Sequence, residues 1–169
     1  MTQGPVVIVG AGHAGFQVAA SLRQHGFAER IALLNDEGHL PYQRPPLSKA
    51  YLKGTGGPDS LMFRPEKFFF DQKIDLISDR AVSIDRGAHK LLLGSGTSLD
   101  YGHLVLATGA RNRLLDIPNA NLDSVRYLRT LDESQSLRDY ITAGQRVVVI
   151  GAGFIGLEFA ATARASASS

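Results

Sequence analysis

An α/β fold built on a parallel sheet is predicted from three observations. A β-branched run, Val6-Val7-Ile8-Val9, leads at once into Gly10, Gly12 and Gly15, and Ala14, Val18 and Leu22 then recur at helical spacing. A second strand-like run, Ile31-Ala32-Leu33-Leu34, follows that helix. The strand–glycine–helix pattern then returns as Val147-Val148-Val149-Ile150, Gly151, Gly153 and Gly156. Short apolar strands alternating with helices mark a parallel sheet buried on both faces.

The first unit carries the most specific signal. In G-x-G-x-x-G spacing the first glycine permits a tight turn and the second lets backbone approach a pyrophosphate. The third lets helix and strand pack closely, so the helix N-terminus faces the phosphate charge. An acid that holds a ribose hydroxyl is expected about 20 residues on, and Asp36 stands there, just past the second strand. Gly26 is placed to end the helix. Strand, turn, helix and acid together read as a dinucleotide site; the plain alternative is a glycine-rich turn without a ligand.

Further along, Pro41, Pro45 and Pro46 are expected to keep the next segment extended and stiff. Ser48 opens a short helix through Leu52 that Gly54 ends. Arg44 and Lys49 then lie near the C-terminal edge of the first strands, where α/β sheets bind ligands; the alternative is two solvated cations on a loop. Pro65 suits the start of a helix through Gln72, with Phe68, Phe69 and Phe70 read as core. Ile74 to Ile77 is the next strand.

From Ala81 to Ala107 short strands and turns replace the longer period, which predicts a β-meander that returns the chain to the central sheet at His103–Ala107. Thr108 and Gly109 close that strand with residues small enough for backbone to approach a cofactor, though alone they are an ordinary turn. Thr130-Leu131-Asp132-Glu133 is a capping box opening a helix to about Tyr140, ended by Ala143-Gly144. Position 147 lies 141 residues after position 6, as 164 lies after 23, and the two copies share three glycines, two valines, three alanines and an arginine. Two such units imply two dinucleotide sites. A βαβ unit takes about 30 residues or more, so the second copy is expected to be incomplete.

Composition narrows the function. With 18 basic and 16 acidic residues the formal charge is +2, and no basic cluster argues for nucleic acid as a partner. No apolar run nears the roughly 20 residues that span a bilayer, and the N-terminus lacks a signal-peptide pattern, so no membrane partner and a cytoplasmic location are expected. The absence of cysteine excludes disulfides, thiolate metal sites, cysteine nucleophiles and a redox dithiol. Five histidines scattered without ligand spacing predict no metal site.

GAGHAGFQVAASLR, PYQRPPLSKAYL, LVLATGARNR, YLRTLDE and VVVIGAGFIGLEFAATAR together resemble the FAD-dependent NAD(P)H:ferredoxin reductases. These flavoproteins, a putidaredoxin/rubredoxin reductase-like group of the pyridine nucleotide-disulfide oxidoreductase superfamily, supply electrons to bacterial cytochrome P450 and oxygenase systems. The resemblance implies a Rossmann-like FAD-binding domain with a β-meander insertion, followed by the start of a second Rossmann-like NAD-binding domain. The expected boundaries are 1–110 for the first portion of the FAD domain, 111–144 for a connecting segment and 145–169 for the truncated start of the NAD domain. Because members build their FAD domain from two separated portions, some core faces are expected to be exposed.

The same resemblance implies site residues. Gly10, Gly12, Ala14 and Gly15 would line the FAD pyrophosphate and Asp36 would take the ribose. Arg44 and Lys49 would lie against pyrophosphate and flavin ring, Val82 near the adenine, and Thr108, Gly109 and Arg129 at further FAD contacts. Gly151, Gly153 and Gly156 would receive the NAD pyrophosphate. Lys49 and Glu158 would form the catalytic pair: a buried ammonium beside the flavin needs a partner, and its charge would stabilise the reduced ring. The implied reaction is hydride transfer from NAD(P)H to FAD, then single electrons to a ferredoxin-type iron–sulfur protein. The alternatives are a truncated FAD-binding module without turnover and an NADH oxidase-type flavoprotein.

Overall fold

The computed structural model describes residues 4–141 and 145–166, arranged in two compact units. The first comprises Met1–Tyr42 and Met62–Gly109, the second Gln43–Leu61 and Ala110–Ser169.

The first unit is organised by a four-stranded parallel sheet. Strands β1 (Val6–Val9), β2 (Ile31–Leu34), β3 (Ile74–Ile77) and β7 (His103–Leu106) lie in the order β3-β2-β1-β7. Val6 pairs in register with Ile31 on one side and His103 on the other. Side chains alternate across a strand, so each buried strand feeds two cores. Val6, Ile8, Ile31 and Leu33 pack with Phe16 and Ala19 of helix α1 (His13–Gln24) and with Phe69 of helix α2 (Glu66–Asp71). Val7, Ala32 and Leu34 pack on the opposite face against Leu91 and Leu93.

Those two leucines belong to the meander, which forms a separate antiparallel sheet of β4 (Ala81–Asp85), β5 (Lys90–Leu93) and β6 (Ser98–Asp100). It covers the second face of the parallel sheet, the place a helical layer takes in a doubly wound fold. Strand β6 was not anticipated; it has three residues, and neither neighbour of Leu99 is apolar.

Helix α1 ends as Gly26 predicts. The Gly26 amide donates to the Arg23 carbonyl and the Phe27 amide to that of Leu22, a Schellman closure. Its buried face is Gly15, Phe16 and Ala19; Val18 and Leu22 pack at the margin and Ala14 is exposed. Helix α2 corrects the reading of its aromatics. Phe69 is buried but Phe70 is 82% exposed, because three consecutive residues span most of a helix's circumference and cannot share one face.

In the second unit the proline-rich segment is not extended. A 3-10 turn runs over Pro45–Ser48, with prolines in its first two positions, and turns rather than a helix continue to Gly54. Proline's fixed φ suits the first helical turn, where its missing N–H costs nothing. Helix α3 (Leu131–Tyr140) opens on the expected capping box, Thr130 accepting from the Glu133 amide while the Glu133 carboxylate accepts from that of Thr130. The Ala143-Gly144 terminator lies outside the described residues. Helix α4 (Phe154–Ser166) follows the second glycine turn.

One predicted strand is absent. Residues 147–150 are in no strand, and Val148 is 86% exposed. A strand exists by hydrogen bonding to a neighbour, and no strand among the described residues pairs with this run. Apolar side chains are exposed here and along the start of α4, at Phe154, Ile155 and Leu157. No helix among the described residues is long and apolar enough to cross a membrane.

Candidate functional site

Because β1, β2 and β7 are parallel, the residues that leave their carboxyl ends gather along one edge of the first unit's sheet. Gly10 follows β1, Asp36 lies just past β2, and Thr108 and Gly109 follow β7. Gly10 has φ +103°, and a Cβ there would fall 2.3 Å from the Ala107 carbonyl oxygen. The turn therefore presses against the end of β7 with no room for a side chain. A Cβ on Gly15 would lie 1.8 Å from the Gly10 carbonyl oxygen, so the helix starts directly against the turn.

Gly12 differs from both. It caps α1 with extended backbone, and nothing lies within 4 Å of where its Cβ would be. Among the described residues no packing demands a glycine at this position. Open space at the helix N-terminus, next to exposed Ala14, is the cradle a pyrophosphate needs. Asp36, Thr108 and Gly109 are also exposed on this edge. The residues present fit a dinucleotide. Val82, the second residue of β4, is exposed on the meander rather than on a strand of the parallel sheet. His13 is exposed at the first position of α1, its ring set edge-on to Phe63 at 4.8 Å. Phe63 in turn stacks on Phe16 at 4.6 Å.

The second unit holds the remaining candidates. Gly151 has φ +109°, close to that of Gly10, and a Cβ on Gly156 would lie 2.3 Å from the Gly151 carbonyl oxygen. Gly153, like Gly12, has open space at its Cβ position. The turn thus repeats with the same internal geometry. It differs in that nothing lies within 4 Å of a Cβ on Gly151, since no strand end abuts it as Ala107 abuts Gly10.

Arg44 and Arg129 are brought together, the Arg44 guanidinium donating to the Arg129 carbonyl at 3.0 Å. Lys49 and Glu158, 109 residues apart, form an ion pair of 2.5 Å. Neither is buried: the Lys49 side chain is 55% exposed and that of Glu158 30%. The expectation of a buried ammonium is therefore corrected. Lys49 closes the 3-10 turn and lies on its solvent side, so hydrogen-bond geometry rather than low dielectric gives the pair its strength.

Sequence reasoning missed the third member. Ser48, read only as a helix start, is buried and its hydroxyl donates to the other Glu158 oxygen at 2.6 Å. Hydrogen bonds from Lys49 and then Ser48 hold the Glu158 carboxyl below the usual carboxylate range. The adjacency of a hydroxyl and an ammonium in Leu47-Ser48-Lys49 was the available signal. Helix α3 fixes the same segment: buried Ser134 donates to the Leu47 carbonyl at 2.7 Å, and Tyr51 to Gln135 at 2.5 Å.

The chain is similar to several known reductases. Rhodocoxin reductase of Rhodococcus erythropolis is 53% identical over 160 residues, which cover 94% of this chain and 38% of the relative. Putidaredoxin reductase of Pseudomonas putida is 44% identical over 162 residues, covering 94% and 38%. A crystal structure of a ferredoxin reductase from Rhodopseudomonas palustris superposes with a TM-score of 0.91 at 72% identity, covering 95% of this chain and 40% of that one. A covalent putidaredoxin reductase–putidaredoxin complex gives 0.91 at 41% identity, covering 98% and 41%. The chain thus spans about two-fifths of the length of the relatives it matches. The family model of the pyridine nucleotide-disulphide oxidoreductases matches residues 4–169, so the chain belongs to this family.

Proposed function

We propose that this chain belongs to a cytoplasmic flavoprotein that takes electrons from NAD(P)H onto FAD and passes them to a ferredoxin-type iron–sulfur protein serving a cytochrome P450 or oxygenase. The observation that carries the reading is the open cradle at Gly12 on the sheet edge shared by Asp36 and Thr108. The reductase names of the relatives support the choice of reaction and partner. The domain assignment follows the same reading, with FAD on residues 1–110, a connection over 111–144 and NAD on the segment from 145.

In this reading Gly10, Gly12, Ala14 and Gly15 hold the FAD pyrophosphate by backbone N–H groups at the start of α1, and Asp36 accepts from a ribose hydroxyl. Thr108, Gly109 and Val82 line further parts of FAD. Arg44, fixed on the Arg129 carbonyl, supplies positive charge toward phosphate. Gly151, Gly153 and Gly156 take the NAD pyrophosphate. Bound FAD supplies the chemistry, accepting electrons in pairs and releasing them singly. Lys49 supplies a positive charge that favours electron density on the ring, and Glu158 keeps that ammonium in place.

The test is gel filtration of the chain after incubation with FAD, followed by a visible spectrum and anaerobic NADH. Co-eluting flavin that bleaches supports both sites. A second reading, FAD binding without turnover by this chain alone, is favoured by the unpaired segment 147–150 beside the second turn; flavin that co-elutes and does not bleach distinguishes it. Flavin lost on the column refutes both.

A further inference from the structure

We infer that Ser48 is the positioning residue of the Lys49–Glu158 pair: its buried hydroxyl fixes one carboxylate oxygen of Glu158 so that the other is presented to the Lys49 ammonium. The three groups form a chain of short contacts, 2.6 Å from Ser48 Oγ to Glu158 Oε2 and 2.5 Å from Lys49 Nζ to Glu158 Oε1. An exposed lysine–carboxylate pair ordinarily gains little, because two long side chains must be held in one geometry. Here the carboxylate is held beforehand. Ser48 is itself buried, 6% exposed, and the preceding carbonyl, Leu47, is bound by Ser134 of α3.

Glu158 lies on α4, where Thr162 one turn later donates to its backbone carbonyl at 3.0 Å and leaves the carboxylate to Ser48 and Lys49. With both oxygens engaged, the carboxylate can neither rotate nor follow Lys49 into solvent. The ammonium is thereby confined to one direction, which an unassisted surface pair would not achieve. Among the described residues the titratable groups in this contact are Lys49 and Glu158; Ser48 brings a hydroxyl donor and no charge. That the aimed ammonium serves a flavin rests on the proposed function; the positioning itself does not.

The experiment follows the Glu158 carboxyl carbon by NMR through an acid titration of the flavin-free chain. It also measures the rate at which an amine-acylating reagent labels Lys49, read by mass spectrometry. The variants are Ser48→Ala, Ser48→Thr and Glu158→Gln. Wild type titrates below the usual carboxylate range. Ser48→Ala moves the titration up toward it and raises Lys49 labelling by about two- to fivefold, as expected for weakening an exposed pair. Ser48→Thr, which keeps the hydroxyl, restores both readouts, and Glu158→Gln raises labelling at least as much as Ser48→Ala. Should the alanine variant fail to fold, Ser48→Cys keeps the bulk with only a weak donor and is expected to behave as Ser48→Ala. Unchanged titration and labelling in a folded alanine or cysteine variant would overturn the assignment. Because neither readout uses flavin, loss of FAD binding would count against the proposed function and leave this result standing.

Discussion

Replacing Gly15 and Gly12 one at a time by alanine separates packing from ligand binding within one turn. At Gly15 the new methyl would sit 1.8 Å from the Gly10 carbonyl oxygen and 3.3 Å from Ile8 Cγ2. The first obstacle is backbone, itself pressed against Ala107 through Gly10, so it cannot yield cheaply. Alanine's better helix propensity returns about 1 kcal/mol, while overpacking of this kind costs about 1–3 kcal/mol and more where backbone must move. The expected net loss is about 1–3 kcal/mol, a fall of roughly 3–10 °C in Tm for a chain of this size. At Gly12 the methyl meets nothing within 4 Å. Its φ of −72° suits alanine, so the loss is confined to the roughly 0.5–1 kcal/mol by which glycine is preferred to alanine at an N-cap. The same methyl occupies the space proposed for the pyrophosphate, so FAD affinity is expected to fall at least about tenfold, the equivalent of 1.4 kcal/mol. Thermal melts and quenching of FAD fluorescence on titration read the two effects separately. A Gly12→Ala protein that binds FAD as wild type does would refute the cradle, and a Gly15→Ala protein with unchanged Tm would refute the packing argument.

Other substitutions test neighbouring contacts. The Arg23 guanidinium donates to four backbone carbonyls, Phe27, Glu29, Gln72 and Lys73, at 2.5–2.8 Å; Arg23→Gln is expected to cost about 2 kcal/mol in urea denaturation, and Arg23→Lys to recover less than half, since an ammonium cannot reproduce the planar fork. Thr130→Ala removes the cap of α3 and is expected to cost about 1 kcal/mol, read as a lower urea midpoint. The Glu158 carboxyl titrates below the usual range, so its contribution is present above the ordinary glutamate value and is lost as pH falls through the depressed one. Urea midpoints measured against pH should therefore decline on the acid side in wild type, and Glu158→Gln should flatten that decline.

The legible parts of this chain are those whose chemistry is local. Val6–Val9, the glycine turn, Gly26 and the Thr130–Glu133 box each specify backbone geometry within a few residues, and each is found where the sequence places it. Segment 147–150 has the same β-branched composition as β1 yet is no strand, because propensity cannot supply a hydrogen-bonding neighbour. Phe70 was misplaced for a related reason, as composition identifies an apolar run but not which face of a helix meets the core. In the site, the positions of Gly10, Asp36 and Thr108 follow from strand order. The Ser48–Glu158 contact joins residues 110 apart through a short hydroxyl; the adjacency of Ser48 and Lys49 marks the hydroxyl but not the distant carboxylate it meets.

The pairing of β1 with β7 has a consequence for how the protein folds. Val6 is matched to His103, so this contact closes a loop of roughly 100 residues, with an entropy cost that grows as the logarithm of loop length. Strands β1 and β2 are separated only by α1, and the three strands of the meander are sequential hairpins, so those pieces can assemble from nearby contacts. The long closure is then the late event, and with it the seating of Gly10 against Ala107. In refolding experiments helical signal should return before the glycine turn acquires its native shape, and the capacity to hold a dinucleotide should be the last property recovered.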